Sequence, residues 1–172
     1  MYRDNNLLLQ VTSIYDLADT YYEEVRYFGE PVTYIGFPSN SGNGNSISYD
    51  SLLMISAKSK YKDQAWDFIK TIIADEYQDK ISYSIPIKKS SFQKKAEEAM
   101  KVPTYIDEDG NTVENQVSIW INDKEILIDP PKQADIDRYK QIIESTTKVA
   151  NYNSEIVDIV TEEAEAYFKG QK

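Results

Sequence analysis

Paired carboxylates, an Asn/Gly loop and an Asp-rich turn are the residues of this chain that could do chemistry. Glu97-Glu98 and Glu162-Glu163 are carboxylate pairs. Two carboxylates hydrolyse glycosides when they flank a bond across a cleft. Adjacent residues on a helix point apart, so both pairs read as solvated helix faces, and a glycosidase would need a pair converging in a cleft. Asp107-Glu108-Asp109-Gly110-Asn111 invites a calcium loop. That loop needs Gly at its sixth position and Glu at its twelfth, whereas counting from Asp107 puts Gly110 too early and Ser118 where Glu should stand. A hairpin turn explains the segment, and no metal site is expected. Gly42-Asn43-Gly44-Asn45 is not a phosphate cradle, because no Lys-Ser/Thr pair follows it and no helix opens behind it. Two roles are open to it: a plain turn, or a loop whose amides and Asn side chains bond a polar ligand.

The chain has no histidine and no cysteine. Its own residues therefore cannot supply a Ser-His-Asp relay, histidine-ligated zinc, a thiolate nucleophile or a disulfide. The expectation is binding rather than catalysis, with no cofactor. The 19 basic and 29 acidic residues leave a net charge of −10, which repels phosphate backbones and anionic membrane surfaces, so no nucleic-acid partner is expected. Tyrosine is frequent, at 14 residues, and its ring with a polar tip suits half-buried packing and polar ligands alike. No apolar run is long enough to span a membrane or to serve as a signal peptide.

The elements that must position these residues alternate. Leu7–Val11 reads as a strand and Ile14–Val25 as a short irregular helix, with Gly29-Glu30-Pro31 as a break. Val32–Phe37 and Ile47–Ala57 read as strands rich in β-branched and aromatic residues. A helix over 62–75 carries Ala65, Ile69, Ile72 and Ile73 on one face, with Trp66 expected to pack in the core. Ile85-Pro86-Ile87 is extended. Ser91–Met100 is helical, with Ser90 or Ser91 as the N-cap. Tyr105–Ile106, Val117–Ile121 and Glu125–Ile128 form a small surface meander with turns at Asp109-Gly110 and Asn122-Asp123; the face of Trp120 is open. Two helices close the chain, one from Asp135 to about Val149 with Ile136, Tyr139, Ile142, Ile143 and Thr146 on a face, and one over Asn153–Phe168. Tyr152, at the start of the last helix, is a more open candidate than Trp66 for stacking on a sugar. The class is α/β or α+β.

Taken in order, several segments resemble family 1 extracellular solute-binding proteins, the maltose-binding-protein-like class of ABC importers. Leu7-Leu8-Leu9 is similar to a strand that follows the family's helical middle. Thr33–Pro38 (TYIGFP) with the glycine loop is similar to its Gly-aromatic-Pro strand end. Leu53–Ser59 (LMISAKS) followed by Asp63–Ile69 (DQAWDFI), then Ile85–Ser90 (IPIKKS), and finally Glu162–Lys172 (EEAEAYFKGQK), resemble later family segments, the last in lipoproteins of Gram-positive bacteria. Members are much longer, so the resemblance implies a C-terminal fragment of a type II periplasmic-binding fold, with two α/β lobes closing on a solute. Residues 1–38 would then lead from one lobe to a crossing, 39–84 would lie in the other lobe, and 85–172 would hold the return crossing, a hairpin insertion at 103–128 and the C-terminal helices.

The implied function is non-enzymatic capture of a carbohydrate or similar solute and its delivery to membrane permease subunits. The implied location is extracellular, lipid-anchored in the full-length protein. The implied ligand contacts are Phe37, Asn43 and Asn45 of the loop, then Tyr152 and Asn153, and then Tyr15. A cell-surface protein-interaction module without transport is the alternative, motivated by the hairpin insertion and the acidic surface.

Overall fold

A computed structural model of the protein describes residues 10–30, 32–38, 40, 43–49, 52–150 and 154–170. Among them are six helices, α1 (Leu17–Tyr27), α2 (Lys62–Ile72), α3 (Asp75–Gln78), α4 (Lys89–Ala99), α5 (Gln133–Ser145) and α6 (Ser154–Phe168). Four short strands, β1 (Thr104–Ile106), β2 (Thr112–Glu114), β3 (Ser118–Ile121) and β4 (Lys124–Leu127), lie between α4 and α5. Helices and small antiparallel sheets are segregated along the chain, so the class is α+β.

Helix α1 is the centre of the packing. Asp16 caps it, one carboxylate oxygen accepting from the Ala18 and Asp19 amides at 3.0 and 3.2 Å. The other oxygen accepts from Lys95 Nζ at 3.0 Å, which fastens the start of α1 to α4. The two sides of α1 then serve two cores. Leu17 packs with Ala96 of α4 and with Ile136 and Tyr139 of α5, all nearly inaccessible. Tyr22 packs with Ile119 of β3 and with Ile128 just after β4. Burying a Leu or Ile side chain stabilises by about 2 kcal/mol, so truncating Leu17 to Ala would cost about 3 kcal/mol once the cavity is counted.

The strands form two separate hairpins rather than one meander. β1 pairs with β2 (Tyr105 opposite Val113) and β3 with β4 (Ile119 opposite Ile126), each antiparallel. The first turn is closed by Asp107, whose carboxylate accepts from the amides of Asp109 at 3.0 Å and Asn111 at 2.7 Å. These bonds, that of Asn111 foremost, hold the Asp107 carboxyl below the usual carboxylate range. The second turn has Asn122 and Asp123 at positive φ, the twist a two-residue hairpin requires. The expectation of a purely surface insertion is corrected, because Ile119 and Ile128 are buried against α1. Trp120, on the opposite side of β3, is exposed.

Four further expectations are corrected. Val32–Phe37 and Ile47–Ala57 are not strands; each makes one isolated bridge, Gly36 to Gly44 and Ile47 to Val149. Their β-prone residues lack a neighbouring strand to complete a ladder, and propensity alone does not hold an extended chain. Gln10 and Val11 are likewise outside any strand, and Leu7–Leu9 lie outside the described residues. Trp66 is not in the core but 49% exposed, and α2 buries no residue. Neither Ser90 nor Ser91 caps α4, which starts at Lys89. Their hydroxyls donate instead to Asp75 at 2.9 Å and Asp79 at 2.6 Å, clamping α4 to α3.

Candidate functional site

The segment that follows α1 is fixed by a buried ion pair. Glu24 of α1 has a side chain only 5% exposed, and Arg138 of α5 approaches it with Nη2 at 2.6 Å. Arg138 Nη1 donates to Glu24 Oε1 at 3.3 Å and to the Val32 carbonyl at 2.8 Å. The Tyr34 hydroxyl donates to the same Glu24 oxygen at 2.8 Å. The guanidinium lies 4.7 Å from the Tyr139 ring centre, and Tyr34 and Tyr139 meet edge to face. Burial, and then the Glu24 charge and hydrogen bonding, push both phenols well above the ordinary tyrosine range. Burial works against the Arg138 charge, but the bonds and charge of Glu24 outweigh it and raise its pKa.

Beyond Tyr34 the backbone folds on itself. Phe37 N donates to Gly44 O at 3.1 Å and Gly44 N to Ile35 O at 3.2 Å. Gly36 sits at φ +65°, and a Cβ on it would stand 2.1 Å from the Gly44 carbonyl carbon. A Cβ on Gly44 would stand 1.6 Å from the Phe37 oxygen. Only glycine permits this approach.

The closed loop then docks on the C-terminal end of α5. Asn43 Oδ1 accepts from the Asn45 amide at 3.0 Å, an Asx turn. Asn43 Nδ2 donates to the Ser145 carbonyl at 3.3 Å, satisfying one of the orphan acceptors of the helix end. Lys148 Nζ donates to the Asn43 carbonyl at 2.9 Å, and its charge beside a helix C-terminus is favourable. Asn45 Nδ2 donates to the Tyr34 carbonyl at 3.3 Å. Ile47 N donates to Lys148 O and Ala150 N to Ile47 O, at 2.8 and 2.7 Å.

A groove of about 450 Å³ runs from this junction along α5, lined by Asp137, Lys140, Gln141, Glu144 and Ser145. The first four stand at i, i+3, i+4 and i+7, one face of the helix. They offer carboxylate acceptors, an ammonium donor and an amide that does both. The ring of Phe37 in the docked loop is 64% exposed.

The structure thus brings Phe37, Asn43 and Asn45 together. It does not bring Tyr15 to them: its hydroxyl donates to Glu23 at 3.3 Å on the far part of α1. Burial and then the Glu23 charge raise the Tyr15 pKa. Tyr152 and Asn153 lie outside the described residues. Sequence reasoning missed Ser145, Lys148 and the α5 face. Local pattern carries no signal for a contact between residues more than a hundred positions apart, although the run of polar residues at helical spacing in α5 was legible. No protein-family model, curated protein or solved structure matches the chain.

Proposed function

We propose that the protein captures a polar, multiply hydroxylated solute, a sugar or oligosaccharide, as the extracellular binding component of an ABC-type importer with a two-lobed periplasmic-binding fold. The carrying observation is the Gly36–Gly44 closure, which seats Asn43 at the end of α5 and sets the exposed Phe37 ring in the same loop. Alternating donors and acceptors along a groove suit hydroxyl groups, and a flat ring suits the apolar face of a pyranose. The ordered resemblance of the segments supports the same reading, as does a chain without His or Cys. The protein performs no reaction on the solute; it hands it to membrane permease subunits and is held outside the cell by a lipid anchor.

Isothermal titration of the intact protein against an oligosaccharide panel tests this. Binding of at least one sugar is expected, weakened about tenfold by Phe37→Ala. No heat with any sugar, alongside tight binding of a peptide or a metal, would sink it. A second reading, a cell-surface protein-interaction module without transport, draws on the exposed Trp120, Tyr105 and Ile106 of the hairpins. It predicts a protein partner lost on Trp120→Ala, with no sugar bound.

A further inference from the structure

Two elements of the protein carry apolar residues on open faces and opposite charge beside them. The first is α2 with the segment before it. Met54 is 87% exposed, Phe68 63% and Trp66 about half, with Leu52, Leu53 and Tyr61 also exposed. Lys58, Lys60 and Lys62 stand within five residues of one another at the start of the helix, with no acidic residue among them. The second is α6. Ile159 and Val160 are both exposed, while Glu155, Asp158, Glu162, Glu163 and Glu165 give the helix five acidic residues and no basic one. In a chain of net charge −10, the basic start of α2 is the exception, and the acidic helix is its natural complement.

The surface area says how large a partner is needed. The protein exposes 13564 Å². A folded monomer of 19.8 kDa is expected to expose about 8,600 Å², a surplus of about 4,900 Å². Interfaces that bury about 2,000–5,000 Å² are those of obligate assemblies. Scattered exposed apolar residues do not produce a surplus of that size; unpartnered elements do.

We propose that the occupant is a second copy of this chain, with α6 of each copy lying on the α2 face of the other. A reciprocal contact of this kind is a closed two-fold dimer in which the same pair of faces is used twice, so the buried area doubles without any further surface. Ile159 and Val160 meet Trp66 and Phe68 at the centre, and the acidic residues of α6 meet Lys58, Lys60 and Lys62 at the rim. The contact stands apart from the groove along α5 and does not rest on the sugar reading.

The absence of cysteine makes the test direct. A Trp66→Cys copy is mixed with an Ile159→Cys copy carrying a size tag, and both are oxidised. The expected product is a mixed disulfide dimer of α2 to α6, formed well above either homodimer. In sedimentation the unmodified protein is expected to be a dimer that weakens as salt rises to about 0.5 M. Lys62→Glu and Glu162→Lys are each expected to weaken it about tenfold, and mixing the two variants to restore association. Both positions are exposed, and far-UV circular dichroism checks that the variants stay folded. A clean monomer at every concentration overturns the proposal. So does a Trp66→Cys/Ile159→Cys chain that closes the disulfide within one molecule, because α6 would then cover its own α2. A dimer untouched by either charge reversal overturns it as well.

Discussion

At the scale of single residues, glycine and one buried charge pair decide the most. Gly110 and Gly44 make a useful contrast. Gly110 has φ +83° with open space around it, so Gly110→Ala pays only the left-handed backbone penalty, about 1–2 kcal/mol. At Gly44 the added carbon would overlap the Phe37 carbonyl, and no side chain can yield to admit it. Gly44→Ala is therefore expected to open the loop and release Asn43 from Ser145. Limited proteolysis should cut near Phe37 in this variant and not in Gly110→Ala; equal resistance would show that the closure is dispensable. For the ion pair, removing one partner strands the other. Arg138→Met leaves Glu24 buried with the Tyr34 hydroxyl as its remaining named donor, at an expected cost of about 3 kcal/mol. Urea unfolding measures it, and a loss under about 1 kcal/mol would show that Glu24 reaches water. The double variant Glu24→Leu/Arg138→Met should cost less than Arg138→Met alone, since no uncompensated charge remains.

At the scale of elements, α3 shows how a one-turn helix can organise its neighbours. Gln78 is buried; its amide donates to the Ile72 carbonyl at the end of α2 and accepts from the Ile87 amide, both at 2.9 Å. Asp75 and Asp79 clamp α4: Asp75 by hydrogen bonds from Lys88 and Ser90, Asp79 by those from Lys94 and Ser91. These bonds lower both carboxyl pKa values below 3.8. A lowered folded-state pKa adds stability above the unfolded value, which is lost as pH falls through the folded one. Hydrogen exchange at the α4 amides should therefore accelerate in acid, below about pH 4. In Asp79→Asn that acid dependence should shrink, with exchange already faster at neutral pH; an unchanged profile would remove Asp79 from the clamp. The two β-hairpins differ for a related reason. Both have sound turns, but only β3–β4 sets apolar residues against α1, and an isolated hairpin without such a face is marginal.

At the scale of the whole molecule, the tyrosines report on packing. Burial raises the pKa of Tyr15, Tyr21, Tyr22, Tyr34 and Tyr139, the last two most strongly. A raised folded-state value means stability that is full below pH 10 and declines as pH rises past the unfolded tyrosine value. Alkaline titration followed by phenolate absorbance should show most of the 14 tyrosines ionising near pH 10. Tyr34 and Tyr139 should ionise only with loss of circular dichroism. Smooth ionisation of all tyrosines with the fold intact would contradict the buried network.

Much of this protein was legible along the chain. Helices α2, α4, α5 and α6 followed from apolar spacing, and both hairpin turns followed from Asp-Gly and Asn-Asp, because capping, turn chemistry and periodicity act over a few residues. The absence of His and Cys narrowed the chemistry for the same reason: composition needs no fold. Tertiary structure alone decided that Val32–Phe37 and Ile47–Ala57 are not strands, that Trp66 faces outward and Ile119 inward, and that Asn43 meets Ser145. A strand exists only if another strand completes its hydrogen bonds, and burial exists only if another element covers the residue. Both are properties of partners far away in the chain, and the spacing of residues within one segment does not encode them.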